Sequence, residues 1–155
     1  MQAVRKILVP VDFSSSSRAA FAQAAHLARG AGASIEVIHV YEPSAYVGPD
    51  SLVLMPVNLA QKWELTRAQI RRELDSFLGP EHGAAALHVE IGTAAEAIAA
   101  VAKAGSFDLV VMGAHGASGL SRIVGSVTEA VMRRAHCAVV TVHLPERPPR
   151  ETVPM

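Results

Sequence analysis

Val110–Val131 reads VVMGAHGASGLSRIVGSVTEAV, and the order of its parts governs how the rest of the chain is read. An apolar run ends at Met112, a loop carrying Gly113, Gly116, Gly119 and Gly125 follows, and Ser126 and Thr128 open a helix. Strand, glycine-spaced loop and hydroxyl-bearing helix start together suit a bound phosphate. Glycines let the backbone approach an anion closely, and the N–H groups of a helix's first turn point at it. A plain connection between strand and helix has the same outline, so the rest of the chain must say whether partners for a ligand exist.

Upstream, KILVPV at Lys6–Val11 is a continuous apolar run that predicts a strand buried on both faces. Asp12 and Ser14–Ser17 are N-cap residue types, followed by Ala20, Phe21, Ala24, Leu27 and Ala28 at helical spacing, with Gly30 and Gly32 closing the helix. SIEVIHV at Ser34–Val40 predicts a second strand. Glu42–Pro56, with Pro43, Gly48, Pro49 and Pro56, reads as a long lid, partner contact or plain surface loop. Asn58 is placed to cap a helix lined by Trp63, Ile70, Leu74 and Phe77 and ended by Gly79-Pro80. ALHVEI at Ala86–Ile91 is a third strand, and Thr93 with Glu96 forms a capping-box pattern for a helix running to Gly105. FDLVVM at Phe107–Met112 is a fourth strand, a helix runs from Ser126 to about Ala135, and CAVVTVH at Cys137–His143 is a fifth strand. The proline-rich residues 145–155 form a tail beyond a single domain at 1–144.

Strands alternating with helices predict an α/β fold, a parallel sheet with right-handed crossovers and helices on both faces. Ligands of such sheets bind beyond the carboxyl ends of strands, where strand order reverses. With the first and fourth strands adjacent, Asp12 would meet a base or ribose while the glycine loop takes phosphates.

Composition narrows the partners. Lysine plus arginine equals aspartate plus glutamate at 14 each, so no single-sign field recruits nucleic acid or an anionic membrane. Half of the 155 residues are hydrophobic and 18% are charged, as for a compact domain. No apolar run approaches the roughly 20 residues of a membrane helix. ILVPVDF is too short for a secretion signal, and Cys137 has no second cysteine to pair with. A soluble, cytoplasmic protein is expected.

Several residues carry a plainer explanation beside the functional one. Ser126 and Glu129 form a capping box, Asp12 suits an N-cap, Thr128 is a helix-start residue and Gly119 a turn glycine. His115 sits within the loop, where it meets either a phosphate or only solvent. The other histidines lack metal-site spacing, and Cys137, opening an apolar strand without a base beside it, reads as packing.

Phosphate motifs restrict the chemistry. The sequence contains no G-x-x-x-x-G-K-[ST], and no G-x-G-x-x-G follows the first strand. Arg122 is the only cation inside the loop, so a triphosphate would rely on backbone N–H groups, hydroxyls and Mg²⁺. From KILVPVDFS to CAVVTVH the chain resembles the universal stress protein family, and in particular those members with the ATP-binding pattern G-x-x-G-x9-G-[ST]. Gly113, Gly116, Gly125 and Ser126 stand at its fixed positions, with eight residues between Gly116 and Gly125 where the pattern has nine.

The resemblance implies a Rossmann-like, open five-stranded sheet of order 3-2-1-4-5 and a homodimer pairing through the last strand, Cys137–His143. It implies adenine-nucleotide contacts (ATP, ADP or AMP) at Pro10, Val11, Asp12, Val40, Met112, Gly113, Gly116, Gly125, Ser126, Val127 and Thr128. To these the loop position adds His115. The expected function is a stress-response regulatory protein whose lid or dimer surface responds to nucleotide. The alternative, favoured by the shortened loop, is a nucleotide-free interaction module. A dedicated ATP-processing enzyme is not expected, because neither S-G-G-x-D-S nor H-x-G-H stands near the first strand, and no base, nucleophile and orienting group come together in the loop.

Overall fold

A computed structural model describes residues 3–43, 59–83, 85–115 and 124–144. Within them run β1 (Lys6–Pro10), α1 (Ser15–Ala31), β2 (Ser34–Tyr41), α2 (Leu59–Leu78), β3 (Ala86–Ile91), α3 (Ala94–Ala104), β4 (Leu109–Gly113), α4 (Ser126–Arg134) and β5 (Ala138–Val142). All strand pairs are parallel and the order is β3-β2-β1-β4-β5, as expected. The chain builds outward from β1 to β3, then returns to the other side of β1 to lay down β4. Strand order therefore reverses between β1 and β4.

Alternation along each strand divides the core into two layers. Ile7, Val9 and Val11, with Val37, Val89, Leu109 and Val111, pack against Ala20, Phe21, Ala24 and Ala28 of α1 and Ile70, Leu74 and Leu78 of α2. Leu8, Ile38, Val110 and Met112 face the opposite way, against Ala95, Ile98 and Ala102 of α3 and Val131 of α4. The small alanine face of α1 lets it lie close to the sheet. The first turn of α1 crosses close over Gly113 at the end of β4. A Cβ there would stand 2.9 Å from the Ser16 backbone carbonyl carbon and collide with Ser16 Oγ.

The helix ends differ from expectation in instructive ways. α1 is capped by Ser14, whose side chain accepts from Ser17 N–H, and Gly32 closes it at φ 67° with its N–H on Ala28 O. Gly30 lies inside the helix. After α2, Gly79 takes φ +66° and opens a 3-10 turn, Gly79–His82, so Gly79-Pro80 bends the chain and adds a turn. The Thr93–Glu96 capping box does not form. Thr93 makes no side-chain cap bond, and Ala94 N–H donates instead to Glu42 Oε1 at 2.6 Å. A carboxylate from the end of β2 thus does what the local side chain was expected to do. Phe107, expected in the fourth strand, precedes β4 and is buried against the α3 side.

The expected Asn58 cap, the body of the 42–56 loop and the 145–155 tail lie outside the described residues, as do Gly116, Gly119 and Arg122.

Candidate functional site

The carboxyl ends of β1, β2 and β4 open into a cleft of about 230 Å³ at the point where strand order reverses. Its walls bring together Pro10, Val11, Asp12, Val40, Met112, Gly113, His115, Gly125, Ser126, Val127 and Thr128. Every site residue expected from the sequence therefore faces one space, except Gly116, which lies outside the described residues.

The β1–α1 turn sets one wall. Val11 N–H donates to Ile38 O at 2.9 Å, carrying the β1–β2 pairing one residue past the strand. Asp12 is not the N-cap. Its Oδ1 accepts from Ser14 N–H at 3.0 Å and from the Ser14 hydroxyl, so it fixes the residue that does cap α1. Between them Phe13 takes φ 64°, a left-handed conformation unusual for an aromatic residue. Its ring is held by Phe77 of α2, edge-on at 5.4 Å, and by His39 at 4.9 Å. His39 Nδ1 donates to Val11 O at 2.7 Å and closes the same turn from β2.

The β4–α4 connection sets the other wall. Ala114 N–H bonds Val142 O at 2.9 Å, and Gly125 N–H bonds Ala114 O at 2.7 Å, so both ends of the glycine loop are pinned together. Thr128 is buried and donates its hydroxyl to Gly113 O at 2.9 Å, tying the first turn of α4 to the end of β4. The Ser126–Glu129 capping box is absent. Gly125 is the N-cap and offers no side chain, Ser126 is the first helical residue, and Glu129 pairs with Arg133 one turn on. The N–H groups of Ser126, Val127 and Thr128 therefore open a helix with no side-chain cap over them.

Sequence reasoning missed Ser17, Ile38, His39, Ala94 and Ile98, which also line the cleft. Ala94 and Ile98 stand four apart at the start of α3, the spacing of one helix face. His39 was readable as the one polar side chain entering the apolar end of β2. Its role depends on Val11, 28 residues away, and that pairing is a tertiary fact.

The charged groups with shifted titration lie at the far end of the strands. Asp108 is held below the ordinary aspartate range by backbone N–H bonds from Arg5 and then Lys6. Burial alone would raise Glu36, but hydrogen bonding to His88 and the charge of Lys6 outweigh it, and its pKa falls. Cys137 is half-buried and its thiol is pushed up by burial, as suits a packing residue rather than a nucleophile. In the cleft itself, Asp12 is the only carboxylate among the described lining residues, and none of them is lysine or arginine.

The profile of the universal stress protein family matches residues 3–143. Universal stress protein MJ0531 of Methanocaldococcus jannaschii is 32% identical over 151 residues, covering 92% of this chain and 84% of that protein. UspA from Lactobacillus plantarum superposes with a TM-score of 0.69 at 28% identity, over 92% of this chain and 99% of its own. A universal stress protein solved in complex with cAMP superposes with a TM-score of 0.63 at 24% identity, over 92% of this chain and 98% of its own. That last likeness is one of fold.

Proposed function

This chain belongs to the universal stress protein family, and we propose that it binds ATP or a related adenine nucleotide in the cleft between β1 and β4. The observation that carries this is the uncapped start of α4. Its first-turn N–H groups open onto a crevice at the strand-order reversal, beside a glycine at the end of β4. Those donors favour an anion, and the macrodipole adds to them. Asp12 and Val40 would hold the nucleoside, with Pro10, Val11 and Met112 around it. Gly113, His115, Gly116 and Gly125–Thr128 would hold the phosphates. The family relative solved with cAMP supports the ligand class.

Mg²⁺ fits only as a companion of the phosphates. No group of three or more His, Cys, Asp or Glu side chains suited to a metal occurs among the described residues. Magnesium commonly keeps several waters and takes one or two protein oxygens beside phosphate, and Asp12 and the Ser126 hydroxyl are the oxygens at hand. Binding there would act as a stress-response switch through the lid surface or the dimer surface at β5. The described lining of the cleft holds one carboxylate, Asp12, and no lysine or arginine. No described helix is long and apolar enough to cross a membrane.

Small molecules released from freshly purified protein, separated and identified by mass, test the reading together with thermal shift. An adenine nucleotide is expected. At a ligand concentration a hundredfold above Kd, linkage contributes about 2.7 kcal/mol, a Tm rise of roughly 5–10 °C for a domain of this size. No released nucleotide, and no shift with ATP and Mg²⁺, would overturn it. That result would favour the nucleotide-free interaction module, to which the loop one residue short of the family pattern points.

A further inference from the structure

We infer that His115 and His143 together make anion binding in this cleft proton-coupled, so that a phosphate-bearing ligand enters with uptake of a proton by the pair. This rests on the nucleotide reading above, and it adds His143, just beyond β5, to the site. The two rings meet edge to face, with centroids 5.6 Å apart and planes at 74°. His115 itself lines the cleft beside Gly125, Ser126, Val127 and Thr128.

The charge inventory makes the pair matter. Facing the cleft are Asp12 from the β1–α1 turn, Ser17 from α1, His39 from β2, Ala94 and Ile98 from α3, and Ser126, Val127 and Thr128 from α4. Asp12 repels an anion, and His39, whose Nδ1 donates to Val11 O, keeps Nε2 as a site for a second proton. With no lysine or arginine among these described residues, His115 and His39 are the side chains that can present a cation to the cleft, and His143 stands against His115. Histidine is the side chain that ordinarily changes charge between pH 5 and 8.

A phosphate beside the two rings favours their charged form. Binding of the anion is therefore accompanied by proton uptake. Affinity falls as pH rises and the imidazoles lose the charge that the anion favours.

The test uses cAMP, a phosphodiester whose single negative charge is constant over pH 5.5–8.5, so any slope belongs to the protein. EDTA is present throughout to remove metal bridging of the imidazoles. Calorimetric titrations in two buffers of different ionisation enthalpy read proton uptake directly. For wild type, affinity should fall about tenfold between pH 5.5 and 8, with net proton uptake on binding. His115→Gln and His143→Gln should each flatten the slope, with most of the loss of affinity falling at pH 5.5.

A pH-independent wild-type affinity without proton uptake overturns the coupling and leaves the nucleotide reading standing. So does a slope that survives in both variants. Absence of cAMP and ATP binding at every pH overturns the nucleotide reading and the coupling with it. The imidazole resonances of wild-type protein, followed with and without cAMP, give the same answer without any substitution.

Discussion

Gly113 and Phe13 show how single residues hold the two walls of the cleft in place. Phe13 accepts a left-handed φ of 64°, which costs roughly 1–2 kcal/mol for a residue with a Cβ. Packing on Phe77 and His39 offsets it. The turn this creates lets Asp12 face the cleft while holding Ser14 over the start of α1. Gly113 carries a different demand. Its φ is unexceptional, but Ser16 of α1 lies where its Cβ would go. Gly113→Ala should therefore destabilise the domain by about 1–3 kcal/mol, as overpacking does, seen as a lower urea midpoint with an unchanged slope. Stability equal to wild type would mean that α1 can move off β4 freely. The glycine expected to serve a phosphate is thus also required by packing.

At the scale of elements, α4 leaves its own start unsatisfied where it could easily have been capped. Gly125 has φ −61° and ψ 154°, a geometry open to any N-cap residue. Gly125→Asp should raise stability by a few tenths of a kcal/mol, the ordinary gain of aspartate over glycine at an N-cap. It should also place a carboxylate on the N–H groups proposed for phosphate and weaken nucleotide binding by at least about tenfold, equivalent to about 1.4 kcal/mol. Thermal unfolding and ATP titration of the same preparation check both halves. Tighter or unchanged ATP binding would remove α4 from the site. The same element separates what local pattern can tell from what it cannot. Ser126 and Glu129 carry a capping-box signature, yet the helix begins one residue earlier because Gly125 is held by Ala114 O and Thr128 by Gly113.

For the molecule as a whole, the two edges of the sheet are not alike. On β3, Arg67 of α2 donates Nε and Nη2 to Val89 O at 3.4 and 3.3 Å, so a long cationic side chain lies across that side. On β5, no comparable side-chain bond to the strand forms among the described residues. Val140 is 36% exposed in the middle of the strand and Leu144 is 43% exposed just beyond it. An open apolar edge of this kind favours pairing with a second copy, which supports the proposed homodimer through the last strand. Wild-type protein should sediment as a dimer, and Val140→Asp should shift it towards monomer at micromolar concentration. A monomeric wild type would place any switch output in segments around the cleft rather than at β5.

The layer order, the parallel sheet and the strand-to-helix rhythm were legible in the sequence because each follows from local hydrophobic period and from glycine, serine and proline placement. KILVPV and LVVM are continuous apolar runs because both faces of a central parallel strand are covered, and ALHVEI alternates because β3 is an edge. The glycine loop and Asp12 were legible as candidates for the same reason: they punctuate strand ends. Only the tertiary structure decided what those residues bond to. Glu42 serving the start of α3, His39 closing the turn at Val11, Ser16 filling the space over Gly113 and His143 meeting His115 all join segments distant in sequence. Such contacts depend on which strand lies beside which and on where each helix crosses the sheet, and neither is encoded in the periodicity of any one segment.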